Sequence, residues 1–428
     1  MKIKTIWLVT LFALFSTVSV FAESKSKKEL AEMAVSADSA VQAEAIKNLR
    51  TMGKDGLDAL FQTYSAEIAK FSATGVGDED WKRITFALDS VAMQKDVYAS
   101  KLYWFTDLEE AKREAGKSNK PILSLRLLGN LNEEFSCANS RFFRALLYSN
   151  SEVSKYLREN YVLHWKSVRP APKVTIDFGD GRKIERTITG NSIHYILDEN
   201  GEIIDAIPGL YAPSDFLKYL TKGKELNTTL DALPKDKKEL AMLRYRKLMF
   251  DDIKAKRNKS VAAAKVTLTE PKDGTDASEV APRAVTKMIT ETSILSGISD
   301  DFSRFESSIN LDDWKKLSKL YAGATKFDEV SVAFIKRQNA GNGLTNAQFT
   351  SLLTNLAGYV TLDTTRNDFL FHTKLYEWLN AQRAKPLELE SFNSRVYADL
   401  FKTPDSDKWL GLYNTDVYTA LDGNGIIK

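Results

Sequence analysis

The chain has 428 residues, of which 43% are hydrophobic and 27% are charged, a composition typical of globular proteins. Its length predicts about two or three domains. Acidic and basic residues are mixed along the sequence, and the formal net charge is only +3. Because a nucleic-acid-binding protein concentrates basic residues on one face, we expect no nucleic-acid partner.

The amino terminus has the pattern of a signal peptide. Lys2 and Lys4 precede an apolar run from Ile6 to Phe21, and Val20-Phe21-Ala22 fits the small-residue rule for cleavage. The run is shorter than the about 20 apolar residues that a membrane-spanning helix needs. We therefore predict a signal peptide at 1–22, an exported bacterial protein that is periplasmic or secreted, and no membrane span in the mature chain.

Hydrophobic periodicity divides the remaining sequence into helical and mixed regions. Apolar residues recur three and four apart near the amino terminus and again after Leu230, which predicts helices there. Between these regions helical and strand patterns alternate, and the last strands flank turns at Gly179-Asp180-Gly181 and Asn200-Gly201. Such an order predicts a mixed sheet covered by helices. The predicted boundaries are an N-terminal helical segment at 23–100, an α/β domain at 101–225, a helix at 226–257, a flexible linker at 258–283 and a C-terminal helical domain at 284–428.

Local patterns give finer predictions within these regions. Gly53 and Gly56 are expected to separate helices of the N-terminal segment. In the α/β domain we predict a helix from Asp107 to about Ala115 and then a strand from Pro121. Two further helices are predicted over about 138–148 and over 151–160, the second capped by its own serine, Ser151.

Cys137 is the only cysteine, so the chain cannot form an internal disulfide. An unpaired cysteine in an exported protein indicates a reactive or intermolecular thiol, whereas a buried cysteine commonly acts as a small hydrophobe. Cys137 directly precedes a predicted helix, where unpaired amide groups and the helix dipole stabilise a thiolate. The sequence therefore allows two roles for Cys137, a reactive thiol and a buried packing residue.

Residues from about Tyr103 to Lys224 resemble a thioredoxin-like domain, of the bacterial exported kind with a helix before the first strand. The segment DLEEAKREAGKSNKPILSL resembles the leading helix and first core strand. CANS, which is Cys137–Ser140, stands where the family carries its Cys-x-x-Cys motif. SNSEVSKYLRENYVLHW and GNSIHYILDENGEIIDAIPGLYAPSDFLKYL resemble the elements that follow. The resemblance implies an α/β thioredoxin-like domain between N-terminal and C-terminal all-α segments.

The resemblance implies thiol–disulfide exchange with Cys137 as the attacking thiol. Ser140 stands at the position of the resolving thiol and cannot resolve a mixed disulfide. The pattern is similar to monothiol Cys-x-x-Ser proteins, where a small thiol or a second substrate cysteine resolves the intermediate. Ser192 stands where the family usually has a cis-proline, and Leu125 replaces an acid often buried in the first core strand. The loop from Leu128 to Ser136 is longer than in the family.

Four further residues are candidates for supporting the thiol, namely Asn139, Arg141, Ser192 and His194. Arg141 and Arg144 share a helix face and would lower the thiol pKa or hold a carboxylate, with a solvated face as the favoured alternative. His194 shares a strand face with Ser192. One alternative is that His194 pairs with Cys137 and activates the thiol. The other, which is the more common role, is a hydrogen-bonded histidine in the core.

We predict no metal or other cofactor. Three scattered histidines and one cysteine give no zinc-ligand spacing. The turn sequences that begin at Asp177 and Asp422 lack the full ligand pattern of a calcium loop.

Two functions follow from these alternatives. The first is an enzyme that exchanges disulfides through Cys137 and Ser140 with a protein substrate or a small thiol. The second is a non-enzymatic scaffold, in which the thioredoxin-like fold and its flanking helices bind a protein partner in the cell envelope. An accessible Cys137 would favour the enzyme, and a Cys137 sealed by Phe135, Phe142 or Phe143 would favour the scaffold.

Overall fold

The computed structural model describes residues 25–188, 190–268, 311–381, 387–406, 408–409, 420–421 and 426. The predicted signal peptide at 1–22 lies outside the described residues. So do residues 269–310, which include part of the predicted linker and the start of the predicted C-terminal domain, and most of residues 407–428. None of the described helices is both long enough and apolar enough to span a membrane.

Residues 25–100 are helical, as their periodicity predicts. The helices are α1 (Lys27–Met33), α2 (Ser39–Thr51), α3 (Lys54–Thr63), α4 (Ser65–Thr74) and α5 (Glu79–Ala92), followed by a short 3₁₀ turn (Val97–Ala99). The side chains of Ser26, Asp38 and Asp78 accept hydrogen bonds from backbone amides at the starts of α1, α2 and α5. Each cap satisfies amide groups that have no partner inside the helix.

The two glycines of this segment have different roles. Gly53 has a φ of +64° and separates α2 from α3, as predicted. The prediction is wrong for Gly56, which lies inside α3, where an added Cβ would be 2.0 Å from the backbone oxygen of Leu49. Gly56 therefore allows α2 and α3 to approach closely rather than ending a helix.

Strands and helices alternate in the middle of the chain, as the sequence predicts. The elements are α6 (Leu108–Ser118), β1 (Ile122–Leu128), α7 (Ala138–Phe142) with a π turn (Phe143–Tyr148), α8 (Ser151–Asn160), β2 (Val162–Arg169), β3 (Lys173–Asp177), β4 (Lys183–Thr187), β5 (Ile193–Leu197), β6 (Ile203–Pro208) and α9 (Pro213–Asp231). Asp107 caps α6 as predicted, but this helix continues beyond Ala115 and ends at Asn119, which adopts a left-handed conformation.

Four of these strands form a mixed sheet in the order β2-β1-β5-β6. β1 is parallel to β2 and antiparallel to β5, and β5 is antiparallel to β6. All residues of β1, β5 and β6 are buried, because helices flank the sheet. The predicted mixed sheet flanked by helices is therefore confirmed. β3 and β4 pair only with each other among the described strands.

The start of α8 differs from the prediction. Asn150, not Ser151, is the cap, and its Oδ1 accepts from the Val153 amide at 3.0 Å. Ser151 is the first helical residue, and its amide donates to Asp328 Oδ2 at 2.8 Å. A carboxylate from a distant helix therefore satisfies an amide that the local sequence leaves open.

The helix after α9 is longer than predicted. Residues 226–231 belong to α9, and α10 spans Lys235–Ala264. The predicted linker at 258–283 is therefore wrong over 258–264, where Ser260-Val261-Ala262-Ala263-Ala264 continues the helix. Alanine has the highest helix propensity, and the Ser260 hydroxyl lies 2.5 Å from that of Tyr321.

The described part of the predicted C-terminal domain is helical. It contains α11 (Leu311–Lys319), α12 (Glu329–Gln338), α13 (Asn346–Arg366), a second π turn (Asn367–His372), α14 (Thr373–Ala381), α15 (Leu389–Arg395) and a third π turn (Val396–Leu400). Its buried hydrophobic residues belong to one cluster with those of the sheet and the N-terminal helices. The predicted segments therefore share one core.

Polar contacts also join β6 to the helices after it. The buried carboxylate of Asp205 accepts hydrogen bonds from the hydroxyls of Tyr245 in α10, at 2.7 Å, and Tyr376 in α14, at 3.2 Å. Arg246 donates to the backbone oxygens of Ile203 and Ile204 at 2.7 and 3.1 Å. α10 therefore covers the outer edge of the sheet.

Gly56 and Gly358 provide a matched test of the packing between α2 and α3. We expect Gly56→Ala to lower the free energy of unfolding by about 1–3 kcal/mol, because the added methyl group forces the backbone of Leu49 to move. Gly358 is an exposed residue of α13 with nothing near its Cβ position, so Gly358→Ala should raise stability by up to about 1 kcal/mol. Urea unfolding measures both, and equal effects of the two substitutions would contradict the assigned role of Gly56.

Candidate functional site

Cys137 lies immediately before α7, at the helix start that the sequence predicts. Its amide donates to the backbone oxygen of Leu128 at 3.0 Å, which ties the end of the 128–136 loop to the end of β1. The side chain is fully buried. The residue therefore has the backbone position of a helix-start thiol but no access to solvent.

Two hydroxyl groups lie close to the sulfur. Cys137 Sγ is 3.6 Å from Ser140 Oγ and 3.5 Å from Ser192 Oγ. The Ser140 proton is directed elsewhere, to Ser136 Oγ at 2.6 Å or to the backbone oxygen of Cys137 at 2.8 Å. Ser140 is therefore an acceptor for the thiol proton.

The C-terminal segment packs against the loop that carries Ser192. We call residues 387–406 the C-terminal cover. The Tyr397 hydroxyl donates to the backbone oxygen of Asn191 at 3.2 Å, and Asn191 Nδ2 donates to the backbone oxygen of Phe401 at 3.4 Å. Arg169, at the end of β2, donates to the backbone oxygen of Thr403 at 3.2 Å. These contacts hold the cover at the end of the sheet where β1 and β2 finish, which is also where Cys137 lies.

An ion pair fastens the start of the cover. Arg126 in β1 is buried and donates to Glu390 Oε1 at 3.1 Å and to Ser124 Oγ at 2.7 Å. Ser124 Oγ is also 2.8 Å from His164 Nδ1. Burial, together with the charges of Arg126 and Lys166, lowers the pKa of His164 to about 3. His164 is therefore neutral and belongs to a hydrogen-bonded core group.

His194 contacts Tyr148 rather than the thiol. Its Nε2 and the Tyr148 hydroxyl share a hydrogen bond of 2.7 Å, and its ring lies 4.7 Å from that of Phe143 and 5.0 Å from that of Phe216. Burial lowers the pKa of His194 to about 3. Among the described residues, no hydrogen bond joins His194 to Cys137, so the Cys–His alternative has no geometric support.

The other candidate residues are largely buried. Asn139 is buried and its Oδ1 has no hydrogen-bond partner among the described residues, and Arg141 is partly buried. The alternative that Arg144 lies on a solvated helix face is wrong, because its side chain is only 3% exposed. Arg144 donates to the backbone oxygens of Glu133 at 2.7 Å and Leu131 at 3.3 Å. It therefore fixes the loop before Cys137.

The aromatic residues expected to seal Cys137 differ in burial. Phe143 is buried and packs on His194, Phe142 is half-buried, and Phe135 is exposed. Tyr397 donates to the backbone oxygen of Asn191, the residue before Ser192, whose hydroxyl lies 3.5 Å from the sulfur. The C-terminal cover thus contributes a part of the seal that no local sequence pattern predicts.

A second buried polar group surrounds Asp368 and was not predicted. The carboxylate accepts from the Tyr219 hydroxyl at 2.6 Å and from Lys256 Nζ at 3.3 Å, and His372 Nδ1 lies 4.0 Å away. Burial alone would raise the Asp368 pKa, but the nearby His372 side chain and the charge of Lys256 lower it below its ordinary value. Tyr219 and Lys256 are each more than 100 residues from Asp368 in sequence, so no spacing signals their contacts with it.

No group of three or more His, Cys, Asp or Glu side chains within the described ranges could hold a metal ion. Neither a protein-family model, nor a curated protein, nor a solved structure matches the chain. The geometry of the chain itself therefore carries the functional argument.

The low pKa of His194 predicts a specific loss of stability in acid. Unfolded His194 binds a proton below its ordinary pKa of 6.5, whereas folded His194 stays neutral down to about 3. Its contribution to folding is therefore present above pH 6.5 and is lost as the pH falls towards 3. In this window one such group changes the free energy of unfolding by about 1.4 kcal/mol per pH unit.

We expect the double variant Tyr148→Phe/His194→Phe to lose less stability than the wild type between pH 6 and pH 4. Removing both partners leaves no buried hydroxyl or ring nitrogen unpaired at this contact. Tyr148→Phe alone is the control, because it keeps the buried titrating ring. Urea midpoints at several pH values measure the slopes. Identical slopes for the wild type and the double variant would show that His194 does not titrate in this way.

Proposed function

We propose that this chain is an exported, non-enzymatic protein of thioredoxin-like fold that binds a protein partner in the cell envelope. The observation that carries the proposal is the complete burial of Cys137. Ser140, Ser192 and His194 are buried as well, so none of the residues nearest the implied reaction centre reaches solvent.

The strand arrangement supports a thioredoxin-like fold. A parallel pair, β1 and β2, is connected through α7 and α8, and an antiparallel pair, β5 and β6, leads into α9. The central position of β1 between β2 and β5 puts the start of α7 at the end of an inner strand. The family resemblance and this topology point to the same fold, and the apolar run at 6–21 is the basis for export.

The chemistry of exchange argues against catalysis by this site. A thiolate must reach a substrate sulfur to form a mixed disulfide, and a second thiol must then attack that disulfide. A fully buried Cys137 cannot meet a protein disulfide, and the chain has no other cysteine.

Monothiol exchange is the second candidate function. The hydroxyls of Ser140 and Ser192, at 3.6 and 3.5 Å from the sulfur, favour it, because after reorientation they would donate to a thiolate. It would require the C-terminal cover to leave Asn191 and Ser192, so that a small thiol or a substrate disulfide reaches Cys137. The two candidates therefore differ in how readily the thiol is exposed.

Thiol labelling of the intact mature protein separates the two functions. We expect Cys137 to react with an alkylating reagent only as fast as the protein unfolds, because the sulfur has no path to solvent in the native state. Intact mass read at several pH values and urea concentrations follows the reaction. The double variant Ser118→Cys/Cys137→Ala is the positive control, since Ser118 is exposed. Rapid native labelling with an apparent pKa well below about 8.5 would instead establish an activated thiol.

A further inference from the structure

The ribbon of β3 and β4 has two unlike faces. On one face Lys173 pairs with Glu185 at 3.1 Å, and Lys183 pairs with Asp177 at 2.9 Å. Thr175 Oγ1 adds a hydrogen bond to Glu185 at 3.4 Å. The charges of this face compensate one another within the ribbon, so it needs no external partner.

The other face is apolar and exposed. Ile176 and Ile184 are opposite each other in the register and are 46% and 39% exposed. Phe178 follows in the turn and is 52% exposed. We call these three residues with Val174 and Arg186 the ribbon face. A two-stranded ribbon is marginally stable by itself, and apolar side chains left in water on it indicate a binding surface.

Arg186 gives the ribbon face its charge. It is opposite Val174 in the register, and its guanidinium donates to the backbone oxygen of Glu185 at 2.9 Å. None of the ion pairs found in the described part of the chain includes Arg186. Arg182, by contrast, is paired with Asp180 at 2.6 Å. The ribbon face therefore presents one uncompensated positive charge two residues from Ile184.

We propose that the ribbon face and the outer edge of β4 bind an extended segment of a partner protein, in which one residue separates an apolar residue from an acidic one. A strand added beside β4 would satisfy backbone groups that no described strand pairs. Because alternate residues of a strand share a face, its apolar residue would lie beside Ile184 and its acidic residue beside Arg186.

Charge decides between this occupant and a second copy of the chain. The ribbon face carries no carboxylate, so pairing two ribbons through β4 would leave both Arg186 side chains without an acidic neighbour. An acidic partner segment removes this deficit with a charge-assisted hydrogen bond. The inference rests on the proposed function, since it names the surface and the partner chemistry of the scaffold.

The test is selection of a random octapeptide display library on the intact mature protein, counter-selected on Ile176→Ser/Ile184→Ser. We expect enriched peptides to share the apolar-x-acidic pattern. Fluorescence polarisation with an enriched peptide should show at least about tenfold weaker binding to Ile176→Ser/Ile184→Ser and to Arg186→Glu. Thr175→Ser, on the compensated face, should bind as the wild type does. A peptide with lysine in place of the acid should bind Arg186→Glu better than the wild type.

Three results would overturn the inference. One is a selection in which no enriched peptide is sensitive to the ribbon substitutions, and another is enrichment of peptides without an acidic residue. The third is a wild-type dimer in light scattering that Ile176→Ser/Ile184→Ser converts to monomer, which would assign the surface to a second copy. Labelling of Cys137 does not depend on the ribbon, so failure of this inference is distinguishable from failure of the scaffold proposal.

Discussion

The structure depends on satisfying one buried carboxylate at the edge of its sheet. Asp205 in β6 has no contact with solvent, and a buried polar side chain without hydrogen bonds would cost about 1–3 kcal/mol. Tyr245 and Tyr376 supply hydrogen bonds from two helices that follow the sheet in sequence, at 2.7 and 3.2 Å. Arg246 binds the neighbouring backbone oxygens. The later helices are therefore part of the sheet domain, because they supply the hydrogen bonds for the buried side chain of its last strand and for the backbone oxygens at its outer edge.

The candidate site also depends on contacts with the helices that follow the sheet. The C-terminal cover contacts Arg169, which ends β2, and Asn191, which precedes β5. Its Glu390 forms an ion pair with the buried Arg126. These contacts hold the cover against Asn191, the residue before Ser192, whose hydroxyl lies 3.5 Å from the Cys137 sulfur. The position that resembles a redox centre is thus enclosed by the helices that complete the core.

Local sequence predicted much of the fold but little of the site's environment. Periodicity placed the helix after Cys137 and the strands on either side of Asn200-Gly201, because both depend on neighbouring residues. It missed the helical continuation at 258–264, where turn formers in the following sequence obscured an alanine run. The burial of Cys137 could not be predicted from local sequence, because Tyr397, which contacts Asn191 beside Ser192, is more than half the chain away from Cys137. Arg144 was assigned to solvent for the same reason, as its partners are backbone oxygens that carry no sequence signal.

The π turns carry a constraint of a different kind. Tyr148, Asp368 and Tyr397 each lie in one of them, and each makes a buried hydrogen bond to another element. A π turn holds one residue more than an α turn, so deleting a single residue there would restore α geometry and shift Tyr148, Asp368 or Tyr397 away from its buried partner. At these places the number of residues is constrained more tightly than their identity. Homologous chains should therefore tolerate substitutions in the π turns while conserving their length.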